Sequence, residues 1–443
     1  MNILDYISDI PNERVAFISK NETVLYGDLK NIFDKNIDTI NQLKDSCIVI
    51  NARSRFEFVK LISVLDGFVK RIVFLPEDID KSLLEKYYKE SNANFEVYLE
   101  NNILKLNILN KKIDDLLKDI KNTQWVIPTS GTTNNPKLVA HTFESLSRTS
   151  KKNIDVGSKY IWGLTFDIYR FSGIQVFLQA ISGGSSLIIT ESNYSMNEIV
   201  DLFVKKSCNI ISATPSFWRK VLMTKESGNL KLKRATLGGE ISDQSILTAL
   251  KNKYENIKIT HIYASTEVGV GFAVTDELAG FPYSYIENGV GNIKLKIDDN
   301  FLLWINPGKK SQEYLSNNSM YDNNGFINTG DLVKVENNRV LFLGRESGSI
   351  NVGGNKVQPE EVEAKLLSSN LISSAYVYAK KNPMVGSLVC ADVIPLNKEI
   401  DKNELKKQIL SYCRDNLDSF KIPAILKIVD DLEITQSGKI KRG

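Results

Sequence analysis

Five short segments concentrate hydroxyl, glycine, lysine and carboxylate residues. The densest is Thr129-Ser130-Gly131-Thr132-Thr133-Asn134-Asn135-Pro136-Lys137, directly after the apolar run Trp125-Val126-Ile127-Pro128. Packed into one loop, these residues offer backbone N–H groups, O–H donors and a cation to polyphosphate oxygens. It is not a Walker loop: Lys137 stands between Pro136 and Leu138, and GxxxxGK[ST] is absent. Tyr263-Ala264-Ser265-Thr266-Glu267 supplies an aromatic face, two hydroxyls and a carboxylate of the kind magnesium takes. Asn328-Thr329-Gly330-Asp331 reads as a tight turn presenting an acceptor for ribose hydroxyls, and Gly344-Arg345 brings a guanidinium. Thr435-Gln436-Ser437-Gly438-Lys439-Ile440-Lys441-Arg442 places a lysine on a glycine-containing tail. Any one of these could be an ordinary surface turn. Their order along one chain is the signal.

Such segments need a scaffold that gathers them. Cys47–Ala52 reads as a buried strand, Arg55–Gly67 as a helix stopped by glycine, and Arg71–Pro76 as the next strand. Strand–helix–strand at this spacing predicts a mostly parallel sheet. The runs beginning at Ser185, Cys208, Lys233 and Ile257 each look like a β-branched strand entering a polar loop. In open parallel sheets, ligands bind beyond the carboxyl ends of the strands, where those loops lie. After about residue 345 the pattern changes to a short helix, two strands, a helix with Leu405, Ile409, Tyr412 and Leu417 on one stripe, and a last strand. The expected fold class is α/β: a large N-terminal domain, 1–345, with mixed parallel sheets and helices, and a small mobile α+β domain, 346–443. The glycine-flanked segment 344–349 is the expected hinge, near Ser347.

The composition narrows the function classes. Of 443 residues, 42% are hydrophobic and 25% charged, as in an ordinary globular protein of two or three domains. Lys and Arg number 56 against 53 Asp and Glu, a net charge of +3, which excludes a nucleic-acid binder working by bulk charge. Four scattered cysteines without a CxxC pair point to a reducing compartment. Two histidines, His141 and His261, exclude a multi-histidine metal centre and disfavour a Ser-His-Asp hydrolase. The N-terminus has no signal-peptide pattern, and no run of about 18 apolar residues exists, so a cytoplasmic, non-membrane protein is expected.

The segments together resemble the adenylate-forming superfamily of acyl-CoA synthetases, nonribosomal-peptide adenylation domains and luciferases. The likeness runs from end to end. Val24–Leu29 is similar to the family's "TYxEL", Thr214-Pro215-Ser216 and Gly238-Gly239-Glu240 to its "P(T/S)" and "GGE", Asn324–Asp331 to "DGWxxTGD", and Ile350–Glu363 to "INxxGxKVxPxEVE". The resemblance implies that a carboxylate attacks the α-phosphate of ATP, giving an acyl-adenylate and pyrophosphate. The small domain then turns, and a thiol of coenzyme A or of carrier-protein phosphopantetheine takes the acyl group. By the same resemblance Thr129, Ser130, Gly131, Thr132, Thr133 and Lys137 handle phosphates, with Gly239 and Glu240 also at the nucleotide. Thr266 bonds phosphate, Glu267 holds Mg²⁺, Tyr263 lies against adenine, and Asp331 and Arg345 engage ribose. Lys439 bridges carboxylate and α-phosphate, while Tyr169, Arg170, Gly238 and Ala264 border the acid. Attack of one anion on another needs cations and alignment more than a general base, which suits this set.

The chain departs from the family's pattern at several positions. Asn134 and Leu138 replace glycines, Ser347 replaces a charged hinge residue, and Glu433 replaces a proline. Setting Gly173 on the glycine of the ligases' "FHxxG" puts Arg170 at the histidine. A guanidinium there would repel an α-ammonium and favour an aromatic acid or one with an anionic or carbonyl tail. Two other readings stand beside it. Arg170 could instead pair with an acid on the surface, or Phe166-Asp167 could be an amino-acid anchor, although the spacing to Gly183-Gly184 is then about three residues too long. His141 is expected in capping or packing as readily as at the nucleotide, and His261 in the core. The partners expected are a small carboxylic acid and, in one alternative, a separate carrier protein, with no nucleic acid and no membrane; the chain would act as a monomer or homodimer. The other alternative is a degenerate scaffold that binds nucleotide without turnover.

Overall fold

A computed structural model describes residues 2–77, 79, 81–110, 117, 119–128, 138–265, 269–308, 313–314, 321–383, 385–397 and 399–433. The expected βαβ reading holds in the first half. Cys47–Ile50 and Arg71–Phe74 pair in parallel on either side of the helix Arg55–Leu65, whose residues are all buried. They belong to a seven-stranded sheet that also contains Gln124–Pro128 and Leu138–Thr142, the strands on either side of residues 129–137 in sequence. A second sheet of eight strands runs Gly269–Val274, Lys258–Ser265, Arg234–Gly238, Ile210–Ala213, Ile161–Leu164, Ser186–Ile189, Val15–Ile18, Thr23–Leu25. Its six inner strands are parallel and both edges antiparallel.

Helices Arg55–Leu65 and Phe171–Ser182 are buried almost all round, the first along its whole length although it carries Arg55, Glu57 and Lys60. Their Phe58, Phe177 and Leu178 join Phe17, Phe74 and Trp125 of the two sheets in one fully buried cluster. Burying each such side chain contributes about 1.5–3 kcal/mol. The core therefore holds the two sheets in fixed relation, and with them the loops at their carboxyl ends.

A third, antiparallel sheet follows: Phe281–Pro282, Arg339–Arg345, Ile327–Glu336, Leu302–Asn306, Lys294–Ile297. Residues 328–331 correct one expectation. They are part of the strand Ile327–Glu336 and not a tight turn. The turn-like signal has a local cause: Asn328 Oδ1 accepts from the Gly330 N–H at 2.8 Å, and Thr329 Oγ1 from the Asp331 N–H at 3.1 Å. Gly330 takes a φ of +71° that lets the strand bend there.

The smaller C-terminal domain has its own sheet, with Ile350–Val352, Asn355–Val357, Ile372–Asn382, Gly386–Pro395 and Ile425–Ile428, backed by the helices Pro359–Leu367 and Lys402–Asn416. Its core is separate, built on Val362, Leu366, Val377, Ala391, Leu405 and Ile409. A smaller α+β unit with an independent core at the chain end is what the sequence pattern called for.

Candidate active site

The strands Ile161–Leu164, Ile210–Ala213, Arg234–Gly238 and Lys258–Ser265 are neighbours and parallel, so the segments that follow them emerge along one edge. These segments carry Tyr169 and Arg170, Thr214, and Gly239 and Glu240. Gly238 ends its strand half-buried and Gly239, at a φ of +79°, turns the chain there. The Glu240 carboxylate accepts the Ser216 N–H at 3.0 Å, at the first turn of the helix Pro215–Met223. That is a favourable place for a negative charge. Thr214, beside it, caps the same helix through Phe217 N–H at 3.1 Å.

Tyr263 and Ala264 lie in the strand Lys258–Ser265, both half-buried. The Tyr263 ring stacks with Phe272 and with Phe342, each at 5.3 Å between centroids and nearly parallel to it. Its hydroxyl donates to one oxygen of Asp331, while Arg345 Nε lies 2.9 Å from the other. Burial, then the Asp331 charge, push the Tyr263 phenol far above its ordinary value, so it stays a neutral donor. Three of the sequence-selected residues thus come together from three strands. The Asp331 side chain is 13% exposed and that of Arg345 59%, so the carboxylate sits at the bottom of the group and the guanidinium faces out.

Tyr169 and Arg170 follow the strand Ile161–Leu164 and lead into the helix Phe171–Ser182. Tyr169 is buried edge-on against Phe58 at 4.6 Å, and its hydroxyl has no hydrogen-bond partner among the described residues. Arg170 Nε lies 3.5 Å from Asp167 Oδ2. Of the two alternatives, the pairing with an acid is therefore seen, but the acid is buried and not at the surface. Phe171, next in line, borders a narrow cleft with Gln175, Ser145, Gly269 and Val270.

His141 lies in the strand Leu138–Thr142, buried, against the Phe171 ring at 5.9 Å. Neither ring nitrogen is hydrogen-bonded among the described residues, and burial lowers its pKa to about 3. Capping falls instead to Thr142, which accepts from Ser145 N–H at 3.1 Å. His261 lies half-buried in the strand Lys258–Ser265, its Nε2 2.9 Å from the Leu278 carbonyl. Thr129, Ser130, Gly131, Thr132, Thr133, Lys137, Thr266, Glu267 and Lys439 lie outside the described residues. Sequence reasoning missed Arg55, Glu77 and Glu191, which gather around Asp167. Arg55 is 2% exposed, its Nε 3.4 Å from Glu77 Oε1, and the Glu191 carboxylate accepts the N–H groups of Arg55 and Phe56 at 2.9 and 3.2 Å. The one available signal was a run of charged residues, Arg55, Glu57 and Lys60, spaced among the apolar positions of one helix.

The family model described as "AMP-binding enzyme" matches residues 62–300, and the one described as "AMP-binding enzyme C-terminal domain" matches 361–439. The chain belongs to the AMP-binding enzyme family. Among curated family members it is similar to the 2-succinylbenzoate–CoA ligase of Listeria innocua, 25% identical over 97% of this chain and 88% of that protein. It is similar also to the D-alanine–D-alanyl carrier protein ligase of Staphylococcus aureus, 24% identical over 100% of this chain and 97% of that protein. The fold is shared with solved structures. One is the anthranilate CoA ligase AuaEII in complex with anthranoyl-AMP, with a TM-score of 0.79, 15% identity, and 99% and 95% of the two chains covered. Another is the o-succinylbenzoate coenzyme A synthetase (MenE) of Bacillus subtilis in complex with ATP and magnesium ion, at 0.70, 20%, 99% and 98%.

Proposed function

We propose that this AMP-binding enzyme activates a small carboxylic acid with ATP as its acyl-adenylate, releasing pyrophosphate, and then passes the acyl group to a thiol. The observation that carries the reading is the meeting of Tyr263, Asp331 and Arg345. A layered aromatic, a carboxylate able to accept several donors and an exposed guanidinium suit the base and sugar of a nucleotide. Phosphates would extend from there toward Thr266 and the loop holding Thr129, Ser130, Gly131, Thr132, Thr133 and Lys137. Gly239 and Glu240 stand on the same edge.

Among the described residues no group of three His, Cys, Asp or Glu side chains could hold a metal ion. Glu267 together with phosphate oxygens would make an all-oxygen set that suits magnesium. Magnesium bound there with the nucleotide would neutralise phosphate charge, leaving Thr266 to hold a phosphate oxygen and Lys439 to draw carboxylate and α-phosphate together.

The tail can deliver that lysine. Asp431 Oδ1 lies 2.9 Å from Lys220 Nζ, on the helix whose first turn holds Glu240. Lys439 is eight positions further along, and eight extended residues span up to roughly 26–29 Å. We place the hinge near Ser347, between domains 1–345 and 346–443, so that the lysine serves one half-reaction and withdraws for the other.

Coenzyme A is the acceptor we propose. A separate carrier protein is the second reading, favoured by the full-length likeness to a carrier protein ligase. Acid-dependent ATP–pyrophosphate exchange tests the first half-reaction: none with any acid, despite ATP binding, would leave only a nucleotide-binding scaffold. Product formation with free coenzyme A against a holo carrier protein decides the acceptor. The four free cysteines are all buried, which supports a cytoplasmic setting, and no helix among the described residues is long and apolar enough to cross a membrane.

A further inference from the structure

The acid's tail depends on what surrounds Arg170. Its guanidinium does not stand alone. Asp167, 1% exposed, turns Oδ2 to Arg170 Nε at 3.5 Å and accepts the Tyr169 N–H on Oδ1 at 2.9 Å. Behind it lie Arg55 with Glu77, and Glu191 bonded to the start of the same helix. All five groups interact electrostatically: Asp167 with Arg55, Arg170 and Glu77, and Glu191 with Arg55 and Glu77. Among the described residues two guanidinium groups face three carboxylates; burial raises the pKa of Asp167 and Glu191 while the arginines pull both back toward the charged form, so the cluster has no spare positive charge.

A second carboxylate in the substrate would have to take Arg170 from Asp167 or share it. Taking it strands a buried carboxylate with less compensation, which is strongly unfavourable. Sharing it adds negative charge beside carboxylates already buried there, where low polarisability strengthens the repulsion. An aromatic or carbonyl-bearing tail meets neither obstacle. An α-ammonium group gains little either, because the Asp167 oxygens are committed inside the protein.

We infer that Asp167 is a specificity-determining positioning residue: it neutralises Arg170 beside the acid, so the enzyme takes monocarboxylic acids with uncharged tails and discriminates against dicarboxylates. This rests on the reading of the edge beyond strand Ile161–Leu164 as the acid site, and it narrows the expectation that Arg170 itself selects an anionic tail.

The test is acid-dependent pyrophosphate exchange with matched pairs, benzoate against phthalate and butyrate against glutarate, with alanine as a third arm. Wild type is expected to prefer the monocarboxylic member of each accepted pair at least tenfold in kcat/KM. Asp167→Asn, which keeps shape but removes the charge, is expected to move that ratio at least tenfold toward the dicarboxylate. Adding Arg170→Gln is expected to restore it. Wild-type preference for the dicarboxylate, or a ratio unmoved by Asp167→Asn in a folded protein, overturns the inference. So does an alanine preference that Asp167→Asn destroys, which would make Asp167 an ammonium anchor. Should Asp167→Asn fail to fold, Arg170→Gln decides by the mono- to dicarboxylate ratio alone: discrimination against the dicarboxylate kept or raised supports the pairing, and discrimination lowered overturns it. No exchange by wild type with any acid of the panel counts instead against the acid-activating function, and the inference falls with it.

Discussion

The Tyr263 hydroxyl donates to the Asp331 carboxylate across 68 positions of chain, joining the eight-stranded sheet to the antiparallel sheet that leads to the C-terminal domain. The contact orders both residues of the proposed nucleotide site before any ligand arrives. Hydrogen bonds to charged groups are worth about 1.5–3 kcal/mol. Tyr263→Phe, which keeps the layered ring and loses the donor, should raise KM for ATP roughly tenfold in pyrophosphate exchange. Asp331→Ala should raise it further, since it leaves Tyr263 and Arg345 without their shared acceptor.

Lys439→Ala should lower adenylate formation by about 10²–10³, the loss typical when one charge-stabilising donor is removed. Thioester formation from a chemically made adenylate should stay within a few-fold of wild type. Single-turnover assays of the two half-reactions make the comparison, and equal losses in both would defeat the role assigned to the tail.

Gly344 precedes Arg345 at a φ of +146°, and a Cβ there would come 2.4 Å from Glu360 Oε2 and 3.0 Å from Gln358 Oε1. Both contacts belong to the start of the helix Pro359–Leu367 in the C-terminal domain. Gly344→Ala should therefore cost roughly 1–3 kcal/mol and lower Tm by several degrees. Unchanged melting would show that the segment relaxes without strain, and with it that this close approach does not set the placement of the domain.

Asp66 is 2% exposed, accepting Ile3 N–H at 2.9 Å and the Trp125 indole N–H at 2.8 Å. Burial outweighs those bonds and pushes its carboxyl up to about 6 from an ordinary 3.8. The unfolded chain releases this proton near pH 4 and the folded chain near pH 6. Between those values the folded state binds more protons, so stability falls as pH rises. Denaturant unfolding of wild type and Asp66→Asn from pH 4 to 7 should show the wild-type advantage shrinking by roughly 2–3 kcal/mol. A constant difference would mean the carboxyl titrates normally.

Much was legible in the chain because it is written locally. Strand–helix–strand alternation gives the parallel sheets, and the 3.6-residue stripe of Leu405, Ile409 and their neighbours gives the helix of the smaller domain. Glycine, hydroxyl and charged residues crowd into the loops after strands because a backbone that must approach a ligand closely cannot carry bulky apolar side chains. Residues 328–331 misled for a related reason: Asx and threonine bonds to their own backbone look alike in a turn and in a bent strand.

What the chain alone determined is the list of groups and the order in which they come. Which groups face one another was decided only when the sheets packed. Whether Arg170 meets a substrate carboxylate or Asp167, and whether Asp331 finds Tyr263, depends on side chains brought close by long-range pairing. Charge is a property of each residue, but its compensation belongs to the neighbourhood, and the neighbourhood exists only in the folded protein.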